Sequence, residues 1–255
     1  MSAWADDGAW AGGATGPRLS RPVRAARRLA DLALALALLP VCLPLMAWIA
    51  WRIRREDGPP ALYGARRVGL LGRPFTQWKF RTMAAGPEAG VTGGDKAGRV
   101  TALGARLRAS RLDELPQLFN VLTGEMSFVG PRPPAPEYVA RFPELYAEVL
   151  RMKPGVTGLA TVMMHLHEEW LLRPTRTPQE TDAVYARRSV PRKARLDRMH
   201  AAAWSPCLDL YILYLTAAKM LGGPGRRAAR LRARAARLAG RAPAAPPVAP
   251  RAGRG

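Results

Sequence analysis

Two adjacent carboxylates, Asp113 and Glu114, stand just before Pro116. Proline is tolerated only in the first turn of a helix, so Pro116 predicts a helix that begins near residues 112–113. The acids would then lie at its positive end, where carboxylates are favoured for capping alone and where phosphate also binds. Gly124 predicts the end of this helix. Its buried stripe, at helical spacing, would consist of Leu115, Leu118, Phe119 and Leu122.

Basic residues in several segments accompany these acids. Residues 75–82 alternate as a strand and place Lys79 and Arg81 on one face, although a solvated strand face has the same pattern. Arg132 stands between two prolines, which restrict the backbone and can aim a guanidinium at a phosphate. The candidate phosphate-binding residues are Lys79, Arg81, Arg108, Arg132 and Lys153. Together with the two acids they predict a site for a pyrophosphate group and a divalent cation.

A hydrophobic segment precedes this site and predicts a contact with a membrane. Residues 32–51 carry no charge, and a helix of twenty residues covers about 30 Å, the thickness of a hydrocarbon core. A signal peptide is disfavoured, because no small-residue cleavage site follows and Arg52, Arg54 and Arg55 close the segment directly.

The topology of this segment is open between three alternatives. Pro40 and Pro44 interrupt the helical pattern, and basic residues flank both ends of the segment. Basic clusters favour the cytoplasmic side, so a single crossing would place one of them on the wrong face. We therefore expect a re-entrant hairpin, with a spanning helix and a buried helix of a soluble protein as the alternatives.

Composition divides the chain into four parts. The protein has 255 residues and a formal net charge of +21, and its two cysteines exclude a disulfide scaffold. We predict a disordered lead over 1–20, a membrane anchor over 21–56, a catalytic domain over 57–222 and a basic Ala/Arg/Pro tail over 223–255. The last thirty residues hold nine arginines and no acid, so nonspecific contact with anionic lipid or nucleic acid is the alternative to a disordered tail.

Four ordered blocks in the sequence resemble the bacterial sugar transferases, the monotopic phosphoglycosyl transferases that begin cell-surface glycan assembly. The resemblance runs from about Arg27 to Leu221. Its blocks are Arg66–Gly69, Lys79–Met83, Leu112–Val121 together with Met126–Pro133, and Lys153–Gly158.

The resemblance implies a fold of the α+β class, predominantly helical. It has one proline-bent re-entrant helical hairpin, placed here at Pro44, and a cytosolic catalytic domain with interfacial helices. The site would face the cytosol at the bacterial inner membrane. Asp113 would attack the β-phosphate of a UDP-sugar, form a covalent phosphosugar intermediate and release UMP. Undecaprenyl phosphate or another polyprenyl phosphate would then accept the phosphosugar. Mg²⁺ would be the cofactor near Asp113 and Glu114, and Glu114 would be a second catalytic residue that assists the metal or moves a proton.

Such a reaction would be the first step of exopolysaccharide, capsule or glycoconjugate assembly. The main alternative is a catalytically silent membrane scaffold that recruits the glycan machinery through its basic surfaces. A specific nucleic-acid partner is not expected, since only the high isoelectric point points to one. The sugar that is transferred and the oligomeric state are left open by the sequence.

Overall fold

A computed structural model of the protein describes residues 20–84, 99–172, 174–175 and 177–220. The predicted lead, apart from Ser20, and the predicted tail lie outside the described residues. Within them, helices predominate, and two small two-stranded sheets complete an α+β fold. This confirms the predicted α+β, predominantly helical fold.

The hydrophobic segment lies in one long helix, α1 (Arg21–Glu56), which is assigned without interruption through Pro40 and Pro44. The helix is long and apolar enough to cross a membrane. Its middle is open to the surroundings, since Leu36 is 58% and Val41 is 71% exposed. The re-entrant hairpin and its bend at Pro44 remain predictions.

Both halves of α1 pack against the part of the chain that follows it. Ala35 is buried against α3 (Gln117–Thr123) in a cluster with Leu118, Val121 and Met126. The second half of α1 contributes to a separate cluster, which consists of Met46, Ile49, Ile53, Ala61, Phe80, Leu103 and Leu107. Because each half loses apolar surface to the same body, α1 is an integral part of the fold rather than a detached anchor.

Polar contacts also fix the first half of α1. Asp31 is buried and accepts hydrogen bonds from the Ser127 hydroxyl at 2.9 Å and the Phe128 backbone N–H at 3.0 Å. Arg27 pairs with Asp209 at 3.1 Å, at the start of α9 (Pro206–Met220). A buried carboxylate needs such donors, so this end of α1 has one defined position on the body.

A β-hairpin follows α1, formed by β1 (Leu62–Val68) and β2 (Pro74–Phe80). The predicted strand over 75–82 is therefore confirmed up to Phe80. The edge of β2 is joined to α3 by Asn120, whose side chain accepts a hydrogen bond from the Trp78 N–H at 3.0 Å and donates one to the Thr76 carbonyl at 2.7 Å.

The acidic segment is organised differently from the prediction. After α2 (Ala102–Ser110), Leu112–Glu114 form a 3-10 turn, and α3 begins only after Pro116 and ends at Gly124, which has a φ of 88°. The predicted stripe is wrong at Phe119, which is 40% exposed, whereas Asn120 is fully buried. The reason is that the hydrogen bonds between Asn120 and β2 stabilise the burial of Asn120, which places Asn120 instead of Phe119 on the buried face of α3.

A second sheet places the Arg132 segment. Strands β3 (Ser127–Val129) and β4 (Gly155–Thr157) pair in parallel. A Cβ atom on Gly155 would lie 2.1 Å from the Gly130 backbone nitrogen, so only glycine permits this close approach. The chain then leaves Gly130 in a fixed direction through Pro131 to Arg132.

Short helices complete the body around a third hydrophobic cluster. They are α4 (Pro136–Arg141), α5 (Pro143–Val149), α6 (Leu159–Leu172), α7 (Pro178–Val184) and α8 (Val190–Ala202). A π-helical turn over Tyr185–Ser189 joins α7 to α8. Val139, Val149 and Ala194 are among the buried residues that these helices share.

Asp197 on α8 is a buried carboxyl in this core. Burial raises the pKa of Asp197 to about 7, although the Lys193 charge and a hydrogen bond from the Ala160 backbone oppose the rise. Unfolding therefore releases a proton between about pH 4 and about pH 7, so this group makes the folded state less stable as the pH rises through that window, by at most about 1.4 kcal/mol per pH unit. Above about pH 7 the penalty is constant.

We expect Asp197→Asn to raise the melting temperature in detergent at pH 8 and to leave it nearly unchanged at pH 4.5, because only the higher pH charges the wild-type carboxyl. Asp182→Asn is the matched control. The Tyr138 hydroxyl and Arg141 donate to Asp182 and lower its pKa, so that variant should be destabilised at pH 8. An Asp197→Asn effect that is the same at both pH values would contradict the assignment.

Candidate active site

Glu114 lies at the centre of a cluster of cations. It is 6% exposed, and its Oε1 atom is 2.8 Å from Arg132 Nη2 and 3.2 Å from Lys79 Nζ. Arg111 Nη2 lies 3.2 Å from the Oε2 atom. Burial alone would raise the pKa of Glu114, but Arg132, Lys79 and Arg111 outweigh burial and hold the pKa well below its usual range. Glu114 is therefore a permanent anion that gathers three cations.

Asp113 has the opposite environment. With the residues that the structure describes it makes no hydrogen bond or ion pair, although it lies next to Glu114 in the 3-10 turn. Burial raises the pKa of Asp113, and the negative Glu114 raises it further, while Lys79, Arg111 and Arg132 oppose the rise. A higher pKa makes a carboxylate more basic. Asp113 is thus a partly desolvated carboxylate that is free to react or to bind a metal.

Lys79 reaches the cluster from strand β2. Burial and, after it, the neighbouring Arg132 charge lower the pKa of Lys79 to about 8, although Glu114 acts in the opposite direction. The alternation of the strand points Phe75, Gln77 and Lys79 to one face, and Lys79 reaches Glu114 from that face.

Arg111 is a member of the site that the sequence analysis did not select. It has left-handed backbone angles, with φ at 61° and ψ at 13°, and it links the end of α2 to the acidic turn. This conformation costs about 1 kcal/mol or more for a non-glycine residue. The ion pair with Glu114 compensates for this cost, which a glycine would not incur. No sequence pattern predicts an arginine with left-handed backbone angles.

Arg67 and Tyr185 are two further neighbours that the sequence analysis did not assign to the site. Arg67 comes from β1, and both burial and the adjacent Arg132 charge lower its pKa. Tyr185 comes from the π-helical turn and interacts electrostatically with Arg67 and Arg132. Single π-helical turns often occur at functional sites. Both residues are far from Asp113 in sequence, so only the tertiary fold identifies them.

Arg108 is close to Asp113, whereas Arg81 and Lys153 lie elsewhere. Arg108 donates to the Thr82 hydroxyl at 2.9 Å, and burial lowers its pKa while Asp113 raises it. The predicted position of Arg81 beside Lys79 on one face of the strand is not found. Arg81 follows the last residue of β2 and donates to the carbonyls of Asp57, Gly58 and Pro59 at the end of α1.

Lys153 belongs to the polar region at the other end of α1. Burial lowers the pKa of Lys153, and the charges of Arg28 and Arg27 lower it further, while Asp31 raises it. No ion pair joins Lys153 to Glu114 in the described structure, so the two predicted phosphate-binding positions Arg81 and Lys153 are separate from the cation cluster.

The two acids fit Mg²⁺ only if another molecule supplies further ligands. Among the described residues no group of three or more His, Cys, Asp or Glu side chains could hold a metal ion. The oxygens of Glu114 are already shared by three cations, which leaves Asp113 as the available carboxylate. Mg²⁺ is commonly bound by one or two carboxylates together with substrate phosphates and water, and this donor set suits that arrangement.

The chain is similar in sequence to several known bacterial transferases. The chain is 37% identical over 203 residues to the "UDP-glucose:undecaprenyl-phosphate glucose-1-phosphate transferase" of Xanthomonas campestris pv. campestris, covering 77% of this chain and 39% of that relative. It is 45% identical over 154 residues to the protein of the same name from Caulobacter vibrioides, covering 57% of this chain and 56% of that relative. The chain thus spans only about two-fifths to just over half the length of these relatives.

A shorter relative is covered almost completely. The "Uncharacterized sugar transferase EpsL" of Bacillus subtilis is 34% identical over 199 residues, which cover 78% of this chain and 89% of that protein. The model of the family described as "Bacterial sugar transferase" matches residues 23–223, which include all but the first two residues of α1 and the whole cation cluster. The chain therefore belongs to the bacterial sugar transferase family.

Proposed function

We propose that the protein transfers a phosphosugar from a UDP-sugar to undecaprenyl phosphate or another polyprenyl phosphate. The observation that carries this proposal is the contrast between two adjacent carboxylates. Glu114 is neutralised by Lys79, Arg111 and Arg132, while Asp113 is partly buried and has no partner among the described residues. Glu114 is thus held in ion pairs with the cations, and Asp113 is available as a nucleophile.

In the first step an oxygen of Asp113 forms a bond to the β-phosphorus of the UDP-sugar. The bond from that phosphorus to the bridging oxygen breaks, and its electron pair leaves on UMP. In the second step an oxygen of the lipid phosphate attacks the same phosphorus, and the electron pair of the aspartyl bond returns to Asp113. A carboxylate nucleophile divides one difficult displacement into two easier ones.

The cations of the site lower the barrier to both steps. The negative charge spreads over the oxygens of the transferring phosphoryl group, and Arg132 and Lys79 lie beside Glu114 in a buried environment where charge interactions are strong. Mg²⁺, held by Asp113 and the diphosphate, would supply further neutralisation of the phosphate oxygens. Glu114 keeps the cations in place before the substrate arrives, so little reorganisation is needed in the transition state.

The donor class rests on the relatives. Several carry names that specify transfer of glucose 1-phosphate to undecaprenyl phosphate, and one from Salmonella typhimurium is named "Undecaprenyl-phosphate galactose phosphotransferase". A lipid-linked diphosphate sugar of this kind would begin an exopolysaccharide, a capsule or a glycoconjugate. The sugar itself is best found by testing a panel of donors.

The experiment that tests this function measures UMP release by the full chain, purified in detergent. UDP-glucose, UDP-galactose and their N-acetylated counterparts are supplied with undecaprenyl phosphate and Mg²⁺. We expect UMP release that requires both lipid and metal and that is greatest for one donor. Folded protein that releases no UMP with any donor would contradict the proposal and would favour the silent scaffold.

We also propose that α1 enters and leaves the membrane by the same face, with its bend at Pro44. Arg27 and Asp31 near its start and Ile49 and Ile53 near its end all contact the same body. A straight crossing by a helix of about 54 Å would carry one of these ends to the far side, away from its partners. Pro44 cannot donate a backbone hydrogen bond, so a bend there costs less than at other positions.

Exposed aromatic residues support the membrane position of the body. Trp48 and Trp51 are each about half exposed on α1, and Arg52 and Arg55 lie over their rings. On α9, the exposed side chains include Leu210, Tyr211 and Tyr214. Aromatic rings next to cations are typical of the membrane–water boundary. We infer a cytosolic catalytic body that rests on the inner membrane.

Cysteine accessibility tests this topology. In a background without Cys42 and Cys207, Arg24→Cys and Glu56→Cys each place one thiol at an exposed end of α1. We expect a membrane-impermeant maleimide to label both thiols in inverted membrane vesicles and neither in intact cells. If one of the two thiols were labelled in intact cells and the other were not, α1 would cross the membrane once. That result would overturn the re-entrant proposal.

A further inference from the structure

One face of the β1–β2 hairpin carries a row of polar side chains towards the cation cluster. Tyr63 pairs with Lys79, Ala65 with Gln77 and Arg67 with Phe75 in the antiparallel register. Side chains on alternate residues share a face, so Lys79, Gln77 and Arg67 lie in sequence along it. The proposed mechanism uses Lys79 but leaves Gln77 and Arg67 without a role.

The charge of the Arg67 guanidinium is only partly compensated, because burial and Arg132 lower its pKa by more than Tyr185, Tyr63 and Glu137 raise it. Its Nε atom is 3.4 Å from the Gln77 Oε1 atom, a long contact to a neutral group, and among the described residues it forms no ion pair. Burial and the positive Arg132 both lower the pKa of Arg67, so it stands desolvated beside a like charge. Glu114 does not form an ion pair with Arg67, because three other cations already share its oxygens. An arginine in this position is stabilised when an anion binds to it.

Gln77 supplies a second and independent sign of a missing ligand. Its side chain is 1% exposed, and its Nε2 atom has no hydrogen-bond partner in the described structure. Buried amide donors are almost always satisfied, and leaving one unpaired costs about 1–3 kcal/mol. An anionic acceptor oxygen that bound both residues would compensate the charge of Arg67 and would accept a hydrogen bond from the Gln77 Nε2 atom.

The in-line chemistry of the proposed reaction puts a phosphate on the same side of phosphorus in both steps. In an in-line displacement the attacking and leaving oxygens stand on opposite sides of phosphorus. The acceptor in the second step must approach opposite the Asp113 oxygen, which is the side that the leaving phosphate vacated. A cation on that side therefore acts on both half-reactions, first on the phosphate that leaves and then on the phosphate that arrives.

We propose that Arg67, oriented by Gln77, binds the phosphate of UMP as it leaves and then the phosphate of the lipid acceptor, at one shared subsite. This inference rests on the proposed function. No new bond is required of Arg67, because its guanidinium donates hydrogen bonds to the phosphate oxygens while the bonds to phosphorus change as described for the two steps. The forked geometry of arginine suits two oxygens of one phosphate.

The kinetic test compares Arg67→Gln with Arg66→Gln. Arg66 is the adjacent residue on the opposite, exposed face of β1, so it is a matched control for charge and strand position. We expect Arg67→Gln to slow UMP formation without acceptor and transfer from the intermediate to lipid, each by about tenfold to a hundredfold. Arg66→Gln should change neither. Slowing of only one half-reaction would overturn a shared subsite.

A binding measurement separates this inference from the reaction itself. In Asp113→Asn protein, which cannot turn over by the proposed route, UMP and inorganic pyrophosphate should each raise the melting temperature. Adding Arg67→Gln should abolish most of that shift, and Arg67→Lys should restore part of it. If Arg67→Gln left the shift in melting temperature undiminished, the inference would be refuted, even if the wild-type protein were active. Conversely, if Arg67→Gln abolished the shift and the wild-type protein showed no turnover, the subsite would be supported and the proposed reaction would be contradicted.

Discussion

Asp113→Asn is expected to lower the rate of UMP release by at least about a thousandfold, because an amide oxygen cannot form the aspartyl intermediate. The side chain has no hydrogen bond or ion pair to lose within the described structure, and burial already disfavours its charge. The melting temperature should therefore stay the same or rise slightly. Loss of activity without loss of stability distinguishes a nucleophile from a structural residue.

The intermediate provides a second readout of the same change. Wild-type protein given a UDP-sugar labelled at the β-phosphorus, without acceptor, should retain the label covalently after denaturation, and Asp113→Asn should retain none. Asp182→Asn is the control, because Asp182 pairs with Tyr138 and Arg141 and has no part in the proposed chemistry. Substantial turnover by Asp113→Asn, or label retained elsewhere in the chain, would remove Asp113 from its role.

The sequence was sufficient for the elements whose physics is local. Alternation along 75–80 gave β2 and the side of Lys79, and Gly124 gave the end of α3, because strand alternation and left-handed glycine depend on neighbouring residues alone. The acids were placed correctly next to cations, but as part of a 3-10 turn rather than a helix. Arg132 was predicted from its two prolines and is paired with Glu114.

Long-range packing decides what the sequence could not provide. Asn120 is buried because β2 presents its backbone to it, and Phe119 is exposed as a consequence. Arg81 is held by the carbonyls at the end of α1, a partner more than twenty residues away. Arg67 reaches the site only through the register of the hairpin. Each of these depends on which elements meet, and neither composition nor spacing contains that information.

The largest effect on stability is expected from Glu114→Gln. This change removes the buried anion with which Lys79, Arg111 and Arg132 form ion pairs. Removing one partner of a buried ion pair typically costs about 3–5 kcal/mol, since the remaining charges stay desolvated without compensation. The free energy of unfolding in detergent should fall by that order, and the remaining activity should fall with it because the cations lose their fixed positions.

Two comparisons make this expectation specific to the cluster. Glu56→Gln breaks the exposed pair with Arg52 on α1 and should change stability by less than about 1 kcal/mol. Adding Lys79→Met to Glu114→Gln removes one unpaired cation, so the double variant should be more stable than the sum of the two single effects predicts. Strict additivity would mean that Glu114 does not organise these cations. The cations around Asp113 would then have to be held in position by other contacts.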